Sequence, residues 1–463
     1  MQTVAIDAEV DVDGREFDVV VIGAGAPGEV IAGRLGEAGV SVAIVEERLV
    51  GGECSFYACM PSKALLRPVE IRAEAARVKG VRVKDELDVA VVLARRDEVI
   101  HDLDDSTQLP WLTDRGVTLV RGHGRLDGER RVTVGDETLV ARKAVVVATG
   151  SAAAIPPLPG LAESRPWTNI EATTAKQVPG RLAVLGGGVV GVEMAQAWAA
   201  LGSQVTLVHR GDRLIEREEP FAGEQVADAL REYGVDLRFE TSVTSVSRNG
   251  VVALELEGGG SLEADELLVA IGRAPRTADV GLDTVGLEPG KHVQVDESLR
   301  VPGKDWLYAV GDVNGRALLT HMGKYQARLA ADAIMGKTVR LRSDGGASPR
   351  VIFTDPQVGA VGLTLAAAEE AGLRVRTVEV DTGGNAGGSF VGKNAPGTAR
   401  LVVDEDRRIV VGATITGAEI AEALHAATIA VVSEVPLDDL WHAVPAFPTR
   451  SELWLRLLEA YGL

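Results

Sequence analysis

The sequence predicts an α/β protein with two parallel-sheet dinucleotide-binding units and a C-terminal α+β domain. Three observations predict it. A strand, glycine-rich turn, helix and strand follow one another over residues 17–45 and again over 181–208. From about Ser348 the pattern changes to short alternating strands and two helical stretches, with no glycine fingerprint. The length, 463 residues, exceeds what one hydrophobic core organises and leaves room for all three parts.

Residues 17–22 are an apolar run suited to a buried parallel strand. Gly23, Gly25 and Gly28 follow, then a helical stretch over 29–39, a second strand over 41–45, and Glu46. A GxGxxG turn alone is weak evidence. Between a strand and a helix, with an acid closing the second strand, it is the Rossmann fingerprint. The first glycine permits the tight turn, the second admits a pyrophosphate, and the third lets helix and strand pack closely. The helix N-terminus turns free N–H groups toward the phosphates. Glu46 is placed to accept the hydroxyls of an adenosine ribose.

The unit recurs as strand 181–185, Gly186, Gly188 and Gly191, helix 192–201 and strand 204–208. No acid closes it; His209, Arg210 and Arg213 stand there instead. A carboxylate would repel the 2′-phosphate of NADP, whereas Arg210 would bind it with ~1.5–3 kcal/mol. NADPH is therefore expected ahead of NADH. The bland alternative is a solvated basic turn.

Between the units, an apolar strand over 144–147 runs into Thr149 and Gly150, and residues 154–166 read as a stiff linker with Pro156, Pro157, Pro159 and Pro166. Beyond the second unit come the apolar run 267–273, ending in Gly272 and Arg273, and the run 307–312, ending in Gly311 and Asp312. Strand 399–403 and helices 418–433 and 451–461 mark the final domain.

A net charge of −19 argues against a nucleic-acid partner, since phosphate binding wants a basic face. No run approaches the ~20 apolar residues of a membrane helix, and the acidic first 16 residues, read as an extension, lack signal-peptide features. The expected location is the cytoplasm. There the only two cysteines, Cys54 and Cys59, suggest redox work or a metal rather than a structural bridge. Two thiolates without a CxxC or a local histidine make a poor zinc site, so no metal is expected. Five residues of regular helix rise about 7.5 Å, beyond the ~4.4–6.8 Å Cα spacing of a disulfide. A disulfide therefore requires that the first turn be distorted or that the chain be just entering the helix there.

Both glycine turns, the segment Gly51, Gly52, Cys54, Cys59, Pro61, Ser62, Lys63, the turns at Thr149 and Gly150, Gly272 and Arg273, Gly311 and Asp312, and the end Phe447, Pro448, Thr449, Glu452 together resemble the pyridine nucleotide–disulfide oxidoreductase family. The resemblance implies an FAD-binding domain (17–155 and 281–345), an NAD(P)H-binding domain (156–280) and a C-terminal dimerisation domain (346–463) of a homodimer. It implies electron flow from NADPH through FAD and a disulfide of Cys54 and Cys59 to a small-molecule acceptor. Cys59 would be the charge-transfer thiol and Cys54 the interchange thiol. Lys63 and Glu193 would be the ion pair beside the flavin, and Asp312 would contact the ribityl chain. Gly52, Thr149, Gly150, Gly272, Arg273 and Gly311 would complete the cofactor contacts.

The match departs at the proton-transfer position. Where the family's disulfide reductases carry a histidine oriented by a glutamate, this chain has Phe447 and keeps Glu452. General acid–base help is typically worth 10²–10⁴-fold, so dithiol exchange should be slow here. His442 is the nearest histidine in sequence. Phe56 and Tyr57 replace smaller residues and, with Phe447, would line an apolar acceptor pocket or pack at an interface. The chain ends without the cysteine pair of mercuric reductases. The leading expectation is a reductase of a disulfide or other small electrophile. The alternatives are direct flavin-mediated quinone reduction, a dihydrolipoamide dehydrogenase with a substituted base, and a redox-sensing flavoprotein with little turnover.

Overall fold

The computed structural model describes residues 14–83, 86–392, 395 and 397–463. The expected extension over residues 1–16 falls largely outside them. The first strand, Arg15–Ile22, begins at Arg15 instead of residue 17. Packing divides the chain into two compact units. One comprises residues up to Gly52 with Asp104–Ala152 and Pro275–Leu341; the other comprises Glu53–Leu103, Ala153–Ala274 and Arg342–Leu463.

The first unit is built on a seven-stranded sheet. Its parallel part runs Val117–Arg121, Val42–Glu46, Arg15–Ile22, Glu137–Val147 and Leu307–Ala309. Strands Arg131–Val134 and Gly124–Leu126 extend it antiparallel. The run Val19, Val20, Val21, Ile22 is buried throughout because successive side chains enter different cores. Val19 and Val21 pack with Ile31 and Leu35 of helix Ala26–Glu37, while Val20 and Ile22 pack with Leu139, Val280 and Trp306.

The second unit contains a four-stranded parallel sheet in the order Asp236–Arg238, Gln204–Val208, Arg181–Leu185, Glu266–Val269. Helices Val189–Ala200 and Pro220–Glu232 cover one face through Trp198, Val226 and Leu230. The antiparallel strands Val243–Asn249, Val251–Leu256 and Ser261–Ala264 cover the other, with Val252 and Leu254 against Ala183 and Val208. The expected linker is packed rather than free: Leu161 is fully buried in that same core. Of the apolar run 267–273 the strand Glu266–Val269 takes the first part, and the chain turns through Gly272 at φ 143°. The C-terminal part is a five-stranded antiparallel sheet in the order Arg350–Ile352, Gln357–Gly362, Ile409–Gly417, Thr398–Asp404, Val375–Asp381. Helices Ile420–Val432 and Glu452–Tyr461 share its core through Leu424, Leu453 and Leu457.

Candidate active site

In the first unit Gly23 has φ 102°, and a Cβ there would meet the Ala148 carbonyl oxygen at 2.5 Å. A Cβ on Gly28 would collide with the carbonyl oxygen of Gly23, which is why the helix can enter so close to the strand. A Cβ on Gly25 would meet nothing within 4 Å, so the turn is open where a pyrophosphate would approach. No side chain caps the N-terminus of helix Ala26–Glu37. Gly52, at φ 60°, lies against Gly25, where a Cβ would stand 2.7 Å from the Gly25 Cα. Glu46 Oε2 accepts the Ala24 N–H at 2.7 Å, and Oε1 accepts the Arg48 N–H at 2.8 Å. Each oxygen keeps a lone pair for a ribose hydroxyl. Burial pushes the Glu46 carboxyl above its usual range, against the pull of those two N–H groups.

The same unit holds Thr149, Gly150, Gly311 and Asp312, also expected among the cofactor contacts. Thr149 Oγ1 donates to the Arg276 carbonyl at 2.7 Å, and Arg276 Nε donates to the Ser151 carbonyl at 3.1 Å. Ser151 Oγ donates to Asp312 Oδ2 at 2.5 Å. Gly150 and Gly311 take φ 70° and 80°, and the Gly311 N–H donates to Gln326 Oε1 at 2.8 Å. A Cβ on Gly311 would stand 2.9 Å from Pro27 Cγ, so this turn adjoins the first glycine turn. An open glycine cradle, a ribose-facing acid and a neighbouring acid at Asp312 fit an adenine dinucleotide with a polyhydroxyl chain.

The second glycine turn repeats the geometry. Gly186 has φ 115°, a Cβ on Gly191 would collide with the Gly186 carbonyl, and Gly188 faces open space. The difference lies at the end of strand Gln204–Val208. The Gly187 N–H donates to His209 Nδ1 at 3.2 Å, so the imidazole stands to this turn as Glu46 stands to the first. A backbone N–H can only donate, which puts the ring proton on Nε2, 3.1 Å from Glu216 Oε1. Arg210 is exposed and makes no hydrogen bond or ion pair among the described residues. Arg213 Nη2 donates to the Glu216 carbonyl at 3.0 Å. Glu216 escaped the sequence reading because it lies outside any motif spacing.

Cys54 lies within the short helix Gly52–Phe56, and Cys59 opens helix Cys59–Arg77. The helix is interrupted between them at Ala58, with φ −139° and ψ −95°, so the cysteines are not separated by regular helical rise. Phe56 and Tyr57 are 1% and 9% exposed, their rings tilted against each other with centroids 6.3 Å apart. Both rings are packed into the protein rather than exposed. Lys63 Nζ donates to Glu193 Oε2 at 2.7 Å and lies 4.7 Å from the Phe353 ring centroid. Glu193 is buried, and its Oε1 accepts the Phe353 N–H at 2.9 Å.

Arg273, expected among the dinucleotide ligands, reaches the cysteine segment: Nη2 donates to Glu53 Oε2 at 2.5 Å and Nη1 to Asn169 Oδ1 at 3.4 Å. Phe447 is 77% exposed, on a loop. Glu452 is buried, with Oε2 accepting the Gly387 N–H at 3.1 Å. His442, exposed, ends the helix Leu437–Trp441. Among the described residues no group of three or more His, Cys, Asp or Glu is arranged to hold a metal ion, and no helix is long and apolar enough to cross a membrane.

Residues 17–334 match the family model described as pyridine nucleotide-disulphide oxidoreductase, and residues 348–457 match that family's dimerisation domain. Mercuric reductase from Acidithiobacillus ferrooxidans is 32% identical over 92% of this chain and 79% of its own length. Dihydrolipoyl dehydrogenase from Chlamydia muridarum is 30% identical over 95% of both. The HOCl-induced flavoprotein disulfide reductase RclA from Escherichia coli superposes with a TM-score of 0.84 at 25% identity, over 96% of this chain and 99% of that one. LpdA from Mycobacterium tuberculosis has the same fold, with a TM-score of 0.85 at 23% identity over 97% of this chain and 100% of that one.

Proposed function

We propose that this chain, which belongs to the pyridine nucleotide-disulphide oxidoreductase family, is an NADPH-dependent FAD enzyme that reduces a small disulfide or other electrophile through Cys54 and Cys59. The observation that carries the reading is the interrupted helix with a cysteine on each side, in a chain that also holds two open glycine cradles. Bound flavin would supply two-electron exchange between nicotinamide and thiols. Gly23, Gly25, Gly28, Glu46 and Asp312 would hold that flavin, and Gly186, Gly188, Gly191 and Arg210 the nicotinamide dinucleotide. Lys63, fixed by Glu193, would keep a positive charge where reducing equivalents arrive. Cys54 would attack the acceptor and Cys59 would close the disulfide behind it.

The three-domain division belongs to the same reading: flavin domain 17–155 with 281–345, nicotinamide domain 156–280 and dimerisation domain 346–463. So do a homodimer and a cytoplasmic location, where a reducing environment suits thiols that must cycle. Phe447 would stand where the family's disulfide reductases place histidine. That ring favours a second reading, direct reduction of a quinone-like acceptor, because such a transfer needs no thiol proton.

The deciding experiment is anaerobic NADPH addition followed by alkylation and mass measurement. The thiol route requires two new alkylatable cysteines per chain and loss of acceptor turnover in Cys54→Ser and Cys59→Ser. Undiminished turnover in both variants would hand the function to the quinone reading.

A further inference from the structure

Asn169 opens the helix Asn169–Thr174, is 5% exposed, and turns its side-chain amide nitrogen onto the cysteine segment. Its Nδ2 donates to the Tyr57 carbonyl at 2.9 Å and to Glu53 Oε2 at 3.3 Å. Its Oδ1 accepts from Arg273 Nη1 at 3.4 Å, while Arg273 Nη2 holds the same Glu53 oxygen at 2.5 Å. Glu53 directly precedes Cys54, and the Tyr57 carbonyl sits in the helix interruption just ahead of Cys59. One buried amide therefore ties both flanks of the two-cysteine turn. Its own helix is secured by a capping box, with Thr168 Oγ1 accepting the Ile170 N–H at 3.2 Å and Glu171 Oε2 accepting the Thr168 N–H at 2.7 Å.

Whether two thiols prefer to be joined depends on their effective concentration, which rises as the turn that carries them is confined. We propose that Asn169, anchored by Glu53 and Arg273, is a positioning residue that confines Cys54 and Cys59 and thereby sets the redox equilibrium of the pair. This inference rests on the redox role proposed above for those cysteines. In the couple concerned, the Sγ–Sγ bond breaks as reduced nicotinamide delivers a hydride, two electrons and one proton. Solvent gives the second proton, leaving two thiols and oxidised nicotinamide.

The test equilibrates the flavin-loaded protein anaerobically at pH 7 with oxidised and reduced dithiothreitol in varied ratio, then counts thiols by alkylation and mass. The variants are Asn169→Ala and Asn169→Asp. The second keeps the shape and the Arg273 acceptor but turns a carboxylate toward Glu53 and the Tyr57 carbonyl. Both should make the disulfide easier to reduce, moving the equilibrium constant about tenfold, which is ~30 mV for a two-electron couple. Glu53→Gln, which weakens the anchor without removing it, should move it less in the same direction. Thermal stability falls under any structural role and is not the readout. Folded variants that all titrate within about twofold of the unmodified protein overturn the inference while leaving the redox reading intact. An unmodified protein whose cysteines never titrate as a two-electron pair overturns both.

Discussion

At the scale of single residues, Arg210, Phe447 and Glu29 each set a measurable property. Arg210 is an exposed guanidinium next to an imidazole that occupies the place of an acid. Arg210→Glu should invert the ratio of kcat/KM for NADPH and NADH, because a carboxylate there repels the 2′-phosphate. Equal use of both nucleotides by the unmodified enzyme would refute the assignment. Phe447 cannot move a proton, so native turnover of lipoamide and glutathione disulfide should be slow at neutral pH. Phe447→His should raise it at least about tenfold, with quinone turnover unchanged; the full 10²–10⁴ typical of acid–base help is not expected. The reason is that Glu452 already accepts a backbone N–H from Gly387 and has less capacity left to orient an imidazole. High native lipoamide activity would point to another base. Glu29, in the first turn of the first glycine-turn helix, has a carboxyl pushed up to about 7, mainly by burial and further by Glu46, against Lys324. Its folded-state value lies above the ~4.3 of the unfolded chain. Its stabilising contribution is therefore complete below about pH 4.3 and is lost as pH rises through about 7. Glu29→Gln should flatten the decline in urea stability between about pH 4 and 7, and an unchanged pH slope would contradict that.

Among the elements, the two glycine-turn units are built alike but loaded separately, so they can be disabled one at a time. A Cβ at Gly28 runs into the Gly23 carbonyl, and one at Gly191 into the Gly186 carbonyl. Backbone cannot yield as a flexible side chain does, so each helix must back away from its strand and spoil its own phosphate cradle. Gly28→Ala should give colourless protein with flavin affinity down at least about tenfold, roughly 1.4 kcal/mol. Gly191→Ala should stay yellow and lose NADPH binding by a similar factor. Flavin absorbance and nucleotide titration read the two losses apart, and a yellow Gly28→Ala would show that the first turn is not the flavin cradle.

For the molecule as a whole, the segment matching the family's dimerisation domain exposes large apolar side chains. Val444 is 83% exposed, Phe447 77%, Phe390 70% and Ile429 51%. The dimerisation-domain match makes these side chains the candidates for a contact between copies. The proposed homodimer should therefore sediment as two chains, and Val444→Arg with Ile429→Glu should shift it toward the monomer by placing charges in the contact. A monomeric native protein, or a double variant with the native sedimentation, would remove this surface from the interface.

Much of this architecture was legible from local pattern. Gly23 and Gly186 announce their turns by a φ that excludes a side chain, and Gly28 and Gly191 by a close backbone approach, constraints written at single positions, while Gly25 and Gly188 leave the cradle open. The apolar run over 17–22 likewise announces a strand buried on both faces. The cysteine turn was half legible: for a disulfide the spacing demanded a distorted first turn or a chain just entering the helix, and Cys59 does open its helix, after the break at Ala58. What no local pattern disclosed was which distant polar groups meet. Arg273 entered only as a cofactor contact implied by the resemblance, and nothing local disclosed that its guanidinium lies on Glu53 and Asn169. Asn169 carried no signal beyond its place after a helix cap, and the reading of Phe56 and Tyr57 as lining a pocket or packing at an interface did not include their burial within the chain. Backbone conformation is decided over a few residues and so is spelled out in sequence. The partner of a buried amide or guanidinium is decided by which segments the folded core brings together, and that the tertiary structure alone determines.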